Sequence, residues 1–149
     1  MMAQDLTIPL DEGKLNIRVA IWLEHEEKLL VAEYPNGIIT LPGGRVKFDE
    51  ASSEAAIREL YEETGEQLMD VKLFAIIENF FTLGQAYHEI LYVYLGTIPY
   101  KETYEGIVCD DEKLYWLPKT DIYKLKPFAL TQLIHKTDEL GVVHIVNRD

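Results

Sequence analysis

The sequence predicts an α/β (α+β) chain, a mixed central sheet with helices packed on its faces. Three observations carry this. Leu15, Ile17, Val19, Ile21 and Leu23 alternate with Asn16, Arg18, Ala20 and Trp22, the two-residue period of a strand. Between residues 51 and 64, Ala56 and Leu60 lie four apart, as do Ile57 and Tyr61 on the next stripe, which is helical spacing. Patterned segments then follow in the order strands, helix, strands, helix.

In chain order, Lys14–Leu23 is the first long strand, and His25 to Lys28 form a polar turn. Leu29–Tyr34 reads as the return strand of a hairpin. Pro35, Asn36 and Gly37 signal a turn before a short strand, Ile38–Leu41, which Pro42, Gly43 and Gly44 break. The helix over Ala51–Thr64 has Ser52 or Ser53 to cap its start and Gly65 to stop it. Val71–Phe81 and Tyr87–Gly96 are strands joined by a turn at Leu83, Gly84 and Gln85. Lys113–Leu117 is a short strand. A second helix is expected over Lys126–Glu139, with Pro127 in its first turn and Gly141 past its end. Val142–Val146 is a terminal strand, either an edge of the same sheet or a pairing edge for a homodimer.

The 149 residues fit one domain, 1–149, with no repeat or linker. A hydrophobic content of 48% is enough for a real core. The net charge of −12 repels nucleic-acid backbones, so a polymer partner is not expected. A small anionic ligand stays possible, because a divalent metal reverses the local field. Cys109 is the single cysteine, which excludes an internal disulfide and suits a reducing compartment. No signal peptide or membrane-length apolar run is present, so a soluble, cytoplasmic protein is expected.

The most informative stretch is Gly44–Glu66. Glu59, Glu62 and Glu63 stand at i, i+3 and i+4, which puts three carboxylates on one helix face. Like charges at that spacing disfavour the helix unless something neutralises them. Clustered hard oxygens suit Mg²⁺, or Mn²⁺. Ala56, Ile57 and Leu60 leave the other face for the core. A solvated acidic face is the bland alternative, since Glu is a good helix former. Arg58 argues against it. It lies four residues from both Glu54 and Glu62 and can bridge carboxylates. Gly43 and Gly44 let backbone approach a ligand closely.

The segment reads Gly44, five residues, Glu50, seven residues, then Arg58, Glu59, Leu60, Tyr61, Glu62, Glu63, Thr64 and Gly65. This resembles the Nudix box, and all seven fixed residue types match. Chance agreement at one start point is ~10⁻⁸ to 10⁻⁹ from average residue usage. The preceding Leu41, Pro42, Gly43 and Gly44 also look like the family's lead-in. One position departs: Glu66 stands where the pattern has an aliphatic residue, and Leu68 is the nearest substitute. The box spans 23 of 149 residues, and the flanking strand order agrees with the family's α/β/α sandwich.

The resemblance implies a Mg²⁺-dependent pyrophosphohydrolase for a small nucleotide-type substrate. Glu59, Glu62 and Glu63 would bind metal. Arg58 and Glu50 would orient that cluster, and Gly43 and Gly44 would admit the diphosphate. Water attacks phosphorus, and a carboxylate must take its proton. Glu62 and Glu63 are candidates within the box. In relatives the base sometimes comes from a later loop, which points to the run Asp110, Asp111, Glu112 and to Glu112 in particular.

Substrate contacts outside the box are less determined. Arg18 could reach a phosphate or ribose, or form an edge salt bridge. Polar residues on central strands want partners, so Glu78 or Glu89 could line the pocket. The segments around both resemble a MutT-like or ADP-ribose-pyrophosphatase-like subgroup. His88 reads best as a hydrogen-bonded core or rim histidine. Tyr34, Phe80, Phe81, Tyr87 and Trp116 lie near loop ends and are candidates for stacking a base. Three substrate classes fit: nucleoside triphosphates, ADP-ribose-like compounds and dinucleoside polyphosphates, with triphosphates slightly ahead. A non-catalytic, Nudix-like nucleotide sensor is the rival reading, and the intact Arg58, Glu59, Glu62 and Glu63 set speaks against it.

Overall fold

The strand β2 (Gly13–Trp22) organises the fold, because both of its edges are used. The computed structural model describes residues 3–107 and 111–149. Cys109 and Asp110 lie outside the described residues. One edge of β2 is shared by β1 (Thr7–Leu10), paired along Gly13–Asn16, and β6 (Gly43–Arg45), paired along Arg18–Ala20. The other edge carries β8 (Gln85–Thr97) in parallel register. β7 (Met69–Leu83) then pairs antiparallel with β8, and β10 (Val143–Arg148) pairs parallel with β7. This gives the expected mixed sheet, in the order β1-β2-β8-β7-β10 with β6 beside β2.

The hairpin expected after β2 does not form with β2. The two-residue β3 (Glu24–His25) intervenes, and β4 (Lys28–Glu33) pairs with β3, with β5 (Ile39–Thr40) and with β9 (Lys113–Pro118) in a second sheet. The reason is edge occupancy. With β1, β6 and β8 in place, β2 has no edge left for β4. Pro42 is likewise less of a break than expected. Its carbonyl accepts a hydrogen bond from Ile21 N at 2.9 Å, and the chain resumes pairing immediately as β6.

The helix α1 (Ser52–Thr64) buries Ala55, Ala56, Leu60, Glu63 and Thr64. It packs with Val19, Ile21, Leu30, Val46, Leu68 and Tyr94 into one apolar layer. Full burial of Leu60 alone contributes about 1.5–3 kcal/mol. The cap differs from expectation. Ala51 is the N-cap residue, its N–H donates to Glu54 Oε1 at 2.8 Å, and Ser52 Oγ turns away to the Tyr94 hydroxyl at 2.6 Å. Gly65 ends the helix in the left-handed conformation, φ 75°, as expected.

The other sheet face buries Trp22, Phe74, Ile77, Leu91, Val93 and Ile145. What covers it is not the expected long helix. Lys119–Lys124 and Phe128–Leu133 are short 3₁₀ turns, and no α-helix forms over Lys126–Glu139. Apolar residues explain the stop. Ala129, Leu130 and Leu133 are buried within one turn, but the next helical positions, Lys136 and Thr137, are polar, and Leu140 a further turn on is 95% exposed. A helix with no apolar stripe beyond its second turn has no tertiary packing to extend it. The second outer layer of the sandwich is therefore made of 3₁₀ turns.

Candidate active site

Arg58 is the centre of the acidic face. Its Nε donates to Glu50 Oε2 at 2.7 Å and its Nη2 to Glu50 Oε1 at 3.0 Å, a two-pronged grip. Nη1 donates to both Glu59 Oε1 and Glu62 Oε2, each at 2.9 Å. Nη2 also reaches the Arg45 carbonyl at 3.0 Å, which ties the helix to β6. Glu50 is fixed from its other side by Lys47 N–H at 3.0 Å. The Arg58 hydrogen bonds hold the Glu50 carboxyl below the usual range, and Glu50 in turn holds the Arg58 guanidinium further up.

The helix lies so close to β6 because residue 44 has no side chain. A Cβ on Gly44 would sit 2.4 Å from the Glu59 carboxyl carbon, and one on Gly43 would meet the Val19 carbonyl oxygen at 2.0 Å. Glu59 is thereby half-enclosed. Burial raises its carboxyl above the usual range, with Arg58 opposing.

Glu63 points elsewhere. It is 7% exposed, accepts the Gly43 N–H, and lies against the carboxyl of Glu112. Burial, then the Glu112 contact and the nearby Glu59 charge, push Glu63 well above the usual carboxylate range. Glu63 Oε2 is buried with no hydrogen-bond donor among the described residues. Glu112 also adjoins the Tyr34 hydroxyl, which burial and that carboxylate push up to about 12. Glu112 thus enters from the approach to β9. Asp111 is exposed beside it.

Hard oxygen donors, an orphaned buried carboxylate oxygen and a glycine-lined wall fit Mg²⁺. Yet among the described residues no three acidic or histidine side chains already surround one point. Arg58 Nη1 stands between Glu59 and Glu62.

Arg18 and Glu89 come together on the opposite face of the sheet from the α1 core, with Arg18 Nε 3.6 Å from Glu89 Oε1. Arg18 also contributes to the field at Glu59 and Tyr34. Glu78 does not join them. Alternation on β7 turns it to the other face, where it meets His144 at 2.7 Å on exposed surface. Among the stacking candidates, Phe81 and Tyr87 stack on each other at 4.8 Å, and Arg148 lies over Phe80 at 4.1 Å. Trp116 donates to the Lys101 carbonyl and packs near His25, Tyr100 and Tyr104. Only Tyr34 adjoins the acidic cluster. His88 is exposed and tilts against Phe80, a rim position. A cavity of about 550 Å³ at the hairpin end of the sheet, lined by Lys14, Phe81, Tyr87 and Arg148, contains none of the box carboxylates.

The sequence reading missed a row of polar residues. Asn16, Glu89 and Asn79 are 3%, 5% and 3% exposed, and with Asn147 they occupy one register position across β2, β8, β7 and β10. Pairing register, which no single strand reveals, is what assembles them.

This fold with this helix defines a class. The NUDIX domain family matches residues 14–135, and the chain belongs to that family. No curated protein matches it significantly. Solved structures of like fold include an ADP-ribose pyrophosphatase from Streptococcus suis, 16% identical, with TM-score 0.64 over 90% of this chain and 98% of that one. A MutT protein from Bacillus halodurans is 21% identical, with TM-score 0.56 over 74% and 72%. A MutT protein from Methanosarcina mazei is 24% identical, with TM-score 0.57 over 80% and 90%. Membership of the family supports the expected class, a Nudix pyrophosphohydrolase. Among the described residues no helix is long and apolar enough to cross a membrane.

Proposed function

We propose that the chain hydrolyses a pyrophosphate bond in a small nucleoside-diphosphate derivative, with Mg²⁺ or Mn²⁺ held by Glu59, Glu62 and Glu63. The observation that carries this is the buried Glu63–Glu112 carboxyl pair beside the Arg58-held Glu59 and Glu62. An acidic cluster of this kind costs stability on its own, and a divalent cation offsets that cost. When bound, the metal supplies charge neutralisation at the phosphates and acidifies water.

The chain's own residues supply the rest. Arg58 fixes the carboxylates of Glu50, Glu59 and Glu62 in one arrangement. Gly43 and Gly44 form a wall without side chains, along which a diphosphate can lie. Arg18 offers a guanidinium, 29% exposed, to a phosphate or a ribose. Burial favours the protonated form of Glu63 in the metal-free protein, so the Glu63–Glu112 pair would accept a proton from attacking water only once a cation has displaced that proton, with Glu62 the other acceptor. No covalent intermediate is required.

Nucleoside triphosphates rank ahead of ADP-ribose-like compounds and dinucleoside polyphosphates. We place the protein in the cytoplasm on the strength of its lone cysteine. The outer edge of β10 is the proposed pairing edge for a homodimer. The test is a Mg²⁺- and Mn²⁺-dependent panel of these three classes with product identification. Release from at least one class supports the reading. Folded protein that binds a nucleotide and releases nothing supports the sensor instead.

A further inference from the structure

Three members of the polar row, Asn147, Asn79 and Glu89, form a connected chain behind Arg18. Asn147 Nδ2 donates to Asn79 Oδ1 at 2.8 Å, and Asn79 Nδ2 donates to Glu89 Oε2 at 3.1 Å. Glu89 Oε1 faces Arg18 Nε at 3.6 Å, longer than a hydrogen bond. The order of donation has a consequence. An asparagine amide can face either way, and its neighbours decide which. The Glu89 carboxylate can only accept, so it holds the NH₂ of Asn79 toward itself and leaves Asn79 Oδ1 to accept from Asn147, whose Nδ2 is oriented by a second acceptor, Asp149 Oδ2 at 3.2 Å. The reverse orientation would set an amide oxygen against a carboxylate. Asn79 therefore satisfies one oxygen of a carboxylate that is 5% exposed, and it leaves the other for Arg18.

Arg18 stands opposite Arg45 in the β2–β6 register, one step from Val19 opposite Gly44. Gly44 is the residue against which the Glu59 carboxyl lies. A guanidinium has five donors, and a single long contact with Glu89 leaves most of them available. Its charge also acts on Glu59, one of the carboxylates that in the proposed function carry the phosphate-binding cation.

We propose that Asn147, Asn79 and Glu89 form a positioning relay that holds the Arg18 guanidinium against a phosphate group of the substrate. The proposal rests on the pyrophosphate reading for its ligand. The relay residues touch no substrate. They act through Arg18 alone, and that makes them separable from a merely structural role.

The probe is methylenediphosphonate, a pyrophosphate analogue with no hydrolysable bridge and no nucleoside, titrated calorimetrically into the Mg²⁺-loaded protein. Arg18→Ala should weaken binding about tenfold or more, as expected for a lost charge-assisted contact. Asn79→Leu and Asn147→Ala should each weaken it about three- to tenfold. Combining Arg18→Ala with either should be no worse than Arg18→Ala alone, because residues acting through one group do not add. Asn147 is at the half-buried end of the row, so Asn147→Ala with Arg18→Ala completes the cycle if Asn79→Leu does not fold. Wild-type affinity in both relay variants, or additive losses in the double variants, overturns the relay. So does wild-type affinity in Arg18→Ala. Wild-type protein that hydrolyses nucleotides yet does not bind the analogue sinks the relay and spares the hydrolase reading. Protein that binds the analogue with the predicted cycle but hydrolyses nothing sinks the hydrolase reading alone.

Discussion

Glu63 of α1 and Glu112 from the approach to β9 press two carboxyl groups together in a pocket where Glu63 is 7% exposed. Two acids in such a place cannot both ionise without a counter-charge.

The first prediction concerns pH. A carboxyl whose value is raised in the folded state favours folding most below its ordinary range, and that contribution is lost as pH rises toward the raised value. Metal-free protein should therefore lose thermal stability progressively as pH rises above the ordinary carboxylate range. Glu50 acts in the opposite sense. Its lowered value gives stability that disappears as pH falls below the ordinary carboxylate range. Thermal unfolding in chelator should show both limbs. Glu63→Gln should flatten the alkaline limb and raise the melting temperature there. Parallel curves for wild type and Glu63→Gln would remove the buried proton from the account.

Arg58 gives the second. Arg58→Ala leaves Glu50, Glu59 and Glu62 without their shared donor, and the metal-free fold should lose about 1–3 kcal/mol in denaturant titration. Arg58→Lys should recover little, because an ammonium cannot make the two-pronged contact with Glu50 and reach two further carboxylates. Added Mg²⁺ should restore more stability to Arg58→Ala than to wild type, since the carboxylates it frees are metal ligands. Equal restoration would count against that assignment.

A third prediction isolates geometry from folding. The methyl group of Gly44→Ala would displace the end of the Glu59 side chain, which is flexible, rather than backbone. Thermal stability should change little while turnover falls about tenfold or more, as for a misplaced catalytic group. A variant with normal turnover would show that Glu59 is free to sit elsewhere.

The contrast between what the sequence disclosed and what it hid follows interaction range. The α1 face was legible because its partners are local: Arg58 meets Glu59 and Glu62 one and four residues away. Gly65 as the helix stop was legible for the same reason. The Glu66 departure resolves through Lys101, 2.5 Å away in a loop whose pairing no motif encodes, while Leu68 is buried as the apolar substitute. Glu78 and Glu89 could not be told apart without register. Asn79 stands opposite Glu89, so those two share a face and Glu78 takes the other. The long second helix was misread because Leu130 and Leu133 promise a stripe that Leu140, 95% exposed, does not continue. The sheet assignment of β4 failed because strand edges are a property of the whole fold, and β2 had none to spare.

The most direct measurement compares Mg²⁺-dependent phosphate release by wild type and by the double variant Glu62→Gln, Glu63→Gln on the nucleotide that the wild type turns over best. The account predicts a folded double variant, at least as stable as wild type without metal, with turnover lower by about a hundredfold or more. A folded double variant that releases phosphate at the wild-type rate would contradict it.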